Sequence, residues 1–200
     1  ARMAEIRRIT APVCQAHKRF NKAFGIGANK TGTTSLQQIL QIIGLKVAPQ
    51  QEGELLGMQA YRGHFGGLSG YIERYDAFQD APFSVKTTFA QVDALFPGSK
   101  FILTVREPEA WFNSLRNFHR KIMRVPAGQP GPTREHIEGF GYLYPGYLAQ
   151  LAQANYLLQE GDDGRLRVNW DLAYDRDHYV AGYLERNRAV MRHFSERPAD

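Results

Sequence analysis

The sequence predicts an α/β fold in which a parallel sheet carries helices on both faces, as one domain over residues 1–200. Two observations support this prediction. Short apolar runs alternate along the chain with segments of helical periodicity, and glycine or proline separates many of them. At 200 residues and 43% hydrophobic composition, the chain can also bury one sizeable core.

The first half of the chain begins with a predicted strand over residues 22–28. A helix follows, because apolar residues recur on one face before Gly44 ends the segment, namely Leu36, Ile39, Leu40 and Ile43. Residues 45–48 predict a short second strand. Residues 50–70 are rich in glycine and only weakly periodic.

Two further strands are predicted over residues 76–82 and 101–105, the second of them buried and parallel. Between them, an apolar stripe and a following Pro-Gly pair predict a helix: Phe89, Val92, Leu95 and Phe96. Pro108 suits the first position of the next helix, and Glu109 suits its first turn. Residues 144–151 and 179–194 predict two later helices.

Residues 25–35 combine a strand end, a glycine loop and a hydroxyl-rich helix start. Gly27 and Gly32 permit backbone conformations that turn several N–H groups toward one ligand, and a helix starting near Thr33 adds its positive dipole end. The segment therefore predicts a phosphate-like ligand. Its glycine spacing fits the start of G-x-x-x-x-G-K-[ST], but Thr33 occupies the lysine position and Lys30 lies within the loop.

A second candidate anion site follows the strand predicted over residues 101–105. Arg106 stands at its carboxyl end, and Ser114 lies on the helix that begins at Pro108. The six-residue helical step from Pro108 to Ser114 rises roughly 9 Å. An extended arginine and this hydroxyl can therefore hold one anion.

In this order, the two motifs resemble those of sulfotransferases that use 3′-phosphoadenosine 5′-phosphosulfate (PAPS), and more specifically a bacterial-type branch. The resemblance implies a P-loop-like fold, PAPS as cofactor, adenosine 3′,5′-bisphosphate as product and no metal. It implies that the lysine-bearing loop binds the 5′-phosphosulfate and that the arginine and serine bind the 3′-phosphate. The implied cofactor-binding residues are Gly27, Ala28, Asn29, Lys30, Thr31, Gly32, Thr33, Thr34, Ser35, Arg106 and Ser114.

The implied reaction is in-line transfer of a sulfuryl group to a hydroxyl or amine, with Lys30 stabilising the developing charge. Lys86 lies in Lys86-Thr87-Thr88, which resembles the Lys-Thr-His element of cytosolic members, with Thr88 at the histidine position. By analogy with the lysine of that element, the resemblance implies that Lys86 binds the sulfuryl oxygens. Asp80 is the first candidate for the general base, and capping of a turn before Pro82 is its alternative role. The reserve candidates for the base are His64 and His119.

Two departures from the family pattern qualify the resemblance. Ser35 stands where cytosolic members have a tryptophan that stacks on adenine, so the adenine contact has to come from elsewhere. Relatives also continue into another strand, so we expect this chain to lack a C-terminal segment. The expected acceptor is a small molecule or a glycan, for which residues 50–70 are candidate pocket residues, and its identity and the oligomeric state stay open.

Two alternatives to sulfuryl transfer remain. A P-loop kinase or nucleotide hydrolase would use Lys30 on a nucleoside triphosphate together with Mg²⁺. A catalytically silent nucleotide-binding module is the other alternative.

Composition narrows the remaining function classes. The net charge of +5 suits an anionic ligand, but six basic residues of this excess lie before or at the start of the first predicted strand: Arg2, Arg7, Arg8, Lys18, Arg19 and Lys22. No nucleic-acid-binding motif accompanies them, so nucleic acid is not an expected partner. The single cysteine, Cys14, excludes an intrachain disulfide, and no apolar run reaches the length of a membrane span. These features predict a cytoplasmic protein.

Overall fold

The structure is a computed structural model that describes residues 19–61 and 64–195. Cys14 and most of the N-terminal basic residues lie outside these ranges. The chain divides into two compact units. The first unit comprises residues 1–105 and 190–200, and the second unit comprises residues 106–189.

The first unit contains a parallel sheet, which confirms the predicted α/β class. Its strands are β1 (Ala23–Gly25), β2 (Ala77–Gln79) and β3 (Lys100–Ile102), in the order β2-β1-β3. Both outer strands run parallel to β1, with Gly25 opposite Gln79 on one side and opposite Ile102 on the other. The carboxyl ends of all three strands therefore meet at one edge, where ligands bind in sheets of this kind.

The two faces of this sheet bury different side chains, because residues alternate in direction along a strand. On one face, the ring of Phe24 lies 5.0 Å from that of Phe78 and 5.4 Å from that of Phe101. The other face carries Ala23 and Ala77, which pack in one buried cluster with leucine side chains. The sheet thus carries aromatic side chains on one face and small side chains on the other.

Helices cover both faces. The first unit contains α1 (Thr33–Ile42), α2 (Gln50–Tyr61), α3 (Gly66–Glu73) and α4 (Thr88–Leu95). Leu36 and Leu40 of α1 pack on the face that carries Ala23 and Ala77. Their spacing of four residues puts both leucines on one side of the helix, as the sequence predicted. On the aromatic face, Tyr71 of α3 lies 5.6 Å from the ring of Phe78.

The two helices over residues 50–73 were not evident from the sequence. Three of their glycines, Gly53, Gly57 and Gly67, lie where another element packs closely, so they occur inside helices and conceal the helical pattern. A Cβ at position 57 would lie 2.5 Å from Cβ of Pro82, so only glycine allows α2 to approach this segment. Glu54 is also buried on α2, where an apolar residue would have signalled the buried face.

The strands are shorter than predicted. The runs over residues 22–28, 76–82 and 101–105 each contain a strand of three residues, because the chain leaves the sheet to form the loops at its carboxyl edge. Residues 45–48 contribute one parallel bridge, between Val47 and Ala77, in place of a strand. β3 is half-buried where burial was expected, since in the described residues it is an outer strand.

The second unit is mainly helical. Its elements are α5 (Pro108–Ile122), α6 (Arg134–Gly139), α7 (Tyr147–Ala152), a π-helical turn (Gln153–Leu157), β4 (Leu158–Glu160), β5 (Leu166–Val168), a 3₁₀ turn (Trp170–Leu172) and most of α8 (Arg176–Phe194). Strands β4 and β5 form an antiparallel hairpin. Helix α5 begins at Pro108 as predicted, and the Glu107 carboxylate caps it by accepting hydrogen bonds from two first-turn N–H groups.

Helices α5 and α8 pack through aromatic rings in the second unit. Trp111 stacks on Tyr183 with 4.3 Å between ring centroids, and Phe112 meets Tyr179 edge-on at 5.9 Å. The last turn of α8 belongs to the first unit, where the ring of Phe194 lies 4.7 Å from that of Phe101. Of the helices described, none is both long and apolar enough to cross a membrane.

Candidate active site

The glycine loop between β1 and α1 is built against the segment that follows β3. A Cβ at position 27 would lie 2.0 Å from Thr104 Oγ1 and 2.5 Å from the Thr104 carbonyl oxygen, so Gly27 is required by close approach. Thr104 Oγ1 in turn lies 2.7 Å from Thr31 Oγ1. The loop is therefore tied to the carboxyl edge of β3.

The hydrogen bonds of Thr31 are directed into the loop itself. Its hydroxyl donates to the Ala28 carbonyl oxygen over 2.5 Å, and its backbone N–H donates to the same oxygen over 3.3 Å. Because a hydroxyl carries one proton, Thr104 is the donor in the Thr31–Thr104 contact. Thr31 thus holds the shape of the loop, and both of its donors are engaged there.

Helix α1 begins at this loop with an open N-terminus. Gly32 occupies the N-cap position in a left-handed conformation, at φ +101°, and no side chain caps the helix. The first N–H groups of a helix have no partner within the helix, and the first turn of α1 contains no acidic residue. Thr34 and Ser35 of this turn are exposed, whereas Thr33 is buried. This arrangement is typical of an anion-binding site.

Asp80 directly follows β2 and accepts three hydrogen bonds. Thr33 Oγ1 donates to Oδ2 over 3.0 Å, while Ser84 Oγ and the Ala81 N–H donate to Oδ1 over 3.2 and 2.9 Å. Asp80 as a whole is 7% exposed. The structure thus joins the carboxylate after β2 to the helix that follows β1.

Burial raises the pKa of the Asp80 carboxyl above its ordinary value. The hydrogen bonds from Thr33, Ala81 and Ser84 oppose this shift, as does the positive charge of Lys30, but burial has the larger effect. A carboxyl with a raised pKa accepts a proton more readily near neutral pH. Asp80 therefore has the electrostatic character of a general base.

The three residues that the sequence suggested as catalytic share an uncommon backbone conformation. Lys30, Asp80 and Lys86 have φ values of +65°, +62° and +44°. Five non-glycine residues in the described part of the chain have positive φ, so these three are a majority of them. Such conformations cost free energy and concentrate at functional sites.

The other candidate residues differ in their surroundings. Lys86, the candidate sulfuryl contact, is exposed in the turn before α4, and the reserve base His64 is exposed before α3. His119 lies on α5 in the second unit, where its Nδ1 is 2.7 Å from the Tyr174 hydroxyl oxygen. Of the residues suggested as a base, Asp80 is the one that the structure connects to the glycine loop and α1.

Arg106 stands at the start of the second unit, before α5, and its backbone is held on both sides. Its N–H donates to the Tyr183 hydroxyl oxygen over 2.9 Å, and that hydroxyl donates to the Arg106 carbonyl oxygen over 3.0 Å. Ser114 is half-buried on α5, as its position in the helical pattern suggests.

Sequence reasoning missed three residues that shape these sites: Thr104, Ser84 and Tyr183. Thr104 left a detectable signal, because it is a polar residue inside the apolar run over residues 101–105. Ser84 and Tyr183 left none, since a serine in a turn and a tyrosine in a helical stripe are ordinary. Their partners lie 4 and 77 residues away, respectively.

The described residues contain no group of three or more His, Cys, Asp or Glu side chains placed to hold a metal ion. No curated protein matches this chain significantly. One family model, described as a sulfotransferase domain, matches residues 22–197 and so includes β1, the glycine loop, Asp80 and Arg106. The chain therefore belongs to the sulfotransferase domain family, whose members transfer sulfuryl groups.

Proposed function

We propose that the protein transfers a sulfuryl group from PAPS to a hydroxyl or amine of a small-molecule or glycan acceptor, releasing adenosine 3′,5′-bisphosphate. The observation that carries this proposal is the open N-terminus of α1 beside Lys30 and the buried carboxylate of Asp80. An anion-binding helix end, a cation and a base are the groups that such a transfer needs.

The 5′-phosphosulfate contacts come from the loop and the first turn of α1. The backbone N–H groups of this turn, the exposed hydroxyls of Thr34 and Ser35, and the Lys30 ammonium would hold the anion. Thr31 would position the loop instead of binding the anion through its side chain, because its hydroxyl donates to Ala28. Gly27, Ala28 and Asn29 would contribute backbone N–H groups.

Arg106 and Ser114 would bind the 3′-phosphate. This assignment rests on their spacing in the sequence, on the resemblance of that spacing to the family motif, and on the fixed backbone of Arg106. A guanidinium recognises phosphate through a pair of parallel hydrogen bonds, so a fixed arginine would distinguish PAPS from nucleotides without a 3′-phosphate.

Three residues carry the proposed chemistry of the transfer: Lys30, Asp80 and Lys86. Bound PAPS would supply the activated sulfuryl group, and its former bridging oxygen would take up negative charge. Lys30 and the α1 N–H groups would stabilise this charge, and Asp80 would accept the proton of the attacking hydroxyl or amine. Lys86 would contact the sulfuryl oxygens. Thr33 and Ser84 would hold the Asp80 carboxylate in place.

One contact favours a second candidate function, that of a Mg²⁺-dependent kinase or nucleotide hydrolase. The Thr33 hydroxyl and the Asp80 carboxylate lie together, and both oxygens are of the type that holds Mg²⁺ beside a nucleoside triphosphate in P-loop enzymes. Against this function, the lysine of that motif is displaced to position 30.

Calorimetric binding of adenosine 3′,5′-bisphosphate, ADP and ATP, each with and without Mg²⁺, tests the proposal without a known acceptor. Preference for the bisphosphate that is independent of Mg²⁺ is the expected result. Preference for ATP with Mg²⁺ would support the kinase or nucleotide hydrolase function instead. Binding of the bisphosphate without turnover in an acceptor screen would instead indicate a silent nucleotide-binding module, and binding of none of the three nucleotides would contradict both enzymatic functions.

A further inference from the structure

The Tyr183 hydroxyl makes two hydrogen bonds to one residue, Arg106. It accepts from the Arg106 N–H over 2.9 Å and donates to the Arg106 carbonyl oxygen over 3.0 Å. Both backbone groups of Arg106 are thus bound by a single side chain, although Arg106 belongs to no helix or strand. Such a contact replaces the hydrogen bonds that a regular element would otherwise provide.

Tyr183 is itself rigidly placed. It is 4% exposed, and its ring stacks on Trp111 with 4.3 Å between centroids and 12° between ring planes. Trp111 is 1% exposed on α5, the helix that also carries Ser114. The hydroxyl of Tyr183 therefore holds the Arg106 backbone against the helix to which Ser114 belongs.

An exposed ion pair joins the same two helices in addition to their aromatic contacts. Arg176, at the start of α8, forms an ion pair with Glu109 in the first turn of α5. This pair is exposed and contributes little to stability on its own. The buried aromatic contacts Trp111–Tyr183 and Phe112–Tyr179 therefore do more than this ion pair to hold the helix that carries the Tyr183 hydroxyl.

We propose that Tyr183 is a positioning residue that determines specificity for a 3′-phosphate by fixing the backbone from which the Arg106 side chain extends. This inference rests on the proposed function, because it requires that Arg106 bind the 3′-phosphate. A long side chain binds a phosphate more tightly when the backbone that carries it is already ordered, since less conformational freedom is lost on binding.

Tyr183→Phe tests the proposal, because it removes the hydroxyl and keeps the ring that stacks on Trp111. The two ligands are adenosine 3′,5′-bisphosphate and AMP, which differ only in the 3′-phosphate. We expect the variant to bind the bisphosphate roughly tenfold more weakly, while AMP binding changes by less than about twofold. Tyr144→Phe is the matched control, since it removes a tyrosine hydroxyl that donates to Gln150 elsewhere in the same unit.

A double-mutant cycle separates positioning from a general loss of structure. If Tyr183 acts through Arg106, Tyr183→Phe has no further effect on the preference for the bisphosphate in an Arg106→Ala background. Equal effects in both backgrounds would overturn the proposal, as would an unchanged preference in the single variant. If Tyr183→Phe weakens the binding of both ligands equally and lowers the melting temperature, Tyr183 has a structural role only.

The failure of this inference is distinguishable from the failure of the proposed function. If the unaltered protein binds the bisphosphate no better than AMP, the proposed 3′-phosphate site is wrong, and the positioning role falls with it. If the unaltered protein prefers the bisphosphate and Tyr183→Phe retains that preference, the proposed function stands and only the role of Tyr183 is refuted.

Discussion

Thr33, the first residue of α1, donates its hydroxyl proton to Asp80 over 3.0 Å between Oγ1 and Oδ2. The two residues follow neighbouring parallel strands, and the pairing of Gly25 with Gln79 brings the ends of those strands together. The contact therefore links the helix that offers its N-terminus to an anion with the carboxylate proposed to accept the acceptor's proton.

Asp80→Asn should reduce the dependence of stability on pH. Burial raises the pKa of Asp80 in the folded protein, so above pH 3.8, its ordinary value, the folded state keeps a proton that the unfolded chain has lost. The free energy of unfolding contributed by this group is highest below that pH. It falls by up to about 1.4 kcal/mol per pH unit until the folded pKa is passed, and is constant above it.

Urea unfolding from pH 3.5 to pH 8 would measure this decline in the unaltered protein and in the variant. The slope is the readout, because the asparagine amide cannot accept all three hydrogen bonds and the absolute stability will also change. Asp162→Asn, at an exposed position between β4 and β5, is the control and should keep the slope of the unaltered protein. An equal slope in Asp80→Asn would contradict the raised pKa.

Thr33→Val should extend the decline of the free energy of unfolding to higher pH. The Thr33 hydroxyl lowers the pKa of Asp80 by binding the charged carboxylate, so its loss leaves the effect of burial less opposed. Valine has nearly the same shape as threonine. The same urea series measures the change, with Thr34→Val as the control because the Thr34 side chain is exposed. If the free energy of unfolding stops falling at the same pH in Thr33→Val and Thr34→Val, the Thr33 hydroxyl does not lower the pKa of Asp80.

Gly27→Ala should destabilise the first unit by about 1–3 kcal/mol, because the new Cβ overlaps the Thr104 backbone. Adding Thr104→Ala should not restore stability, since the Thr104 carbonyl oxygen at 2.5 Å and nitrogen at 2.8 Å remain. Gly70→Ala in α3 is the control: nothing lies within 4 Å of its Cβ. Urea unfolding checks all three, and recovery in the double variant would show that the hydroxyl alone requires glycine.

Lys30→Ala should lower the rate of sulfuryl transfer by roughly 10²–10³-fold, because the variant loses a charge that stabilises the leaving oxygen in the transition state. Binding of adenosine 3′,5′-bisphosphate should weaken far less. Transfer is measured with PAPS and an acceptor found by screening, and binding is measured by calorimetry. Equal losses in binding and in rate would assign Lys30 to ground-state binding only.

Arg106→Ala should remove the preference for adenosine 3′,5′-bisphosphate over AMP, bringing their dissociation constants within about twofold. Calorimetry with both nucleotides checks this result. Arg165→Ala, at an exposed position beside β5, controls for the loss of one positive charge. If Arg106→Ala weakens both nucleotides by the same factor, the arginine does not read the 3′-phosphate.

Local signals in the sequence were sufficient for the class of fold and for the family. The glycine loop, the Pro108 helix start and the alternation of strands with helices depend on neighbouring residues, and the structure contains all three. The predicted strand runs over residues 22–28, 76–82 and 101–105 each overlap a strand with a phenylalanine at its centre, at positions 24, 78 and 101. The bounds of the strands were less predictable, since they depend on where each loop leaves the sheet.

The relations between distant residues were decided only by the tertiary structure. The contacts Thr33–Asp80, Thr31–Thr104 and Arg106–Tyr183 join residues that are 47, 73 and 77 positions apart. No local pattern encodes such pairs, because each residue alone has an ordinary alternative: Asp80 as a turn cap and Tyr183 as a core ring. The sequence by itself determined that this chain is an α/β protein with two candidate anion motifs. The packing of the folded chain decided which side chains hold those motifs in place, because only burial and strand pairing bring their partners within hydrogen-bond distance.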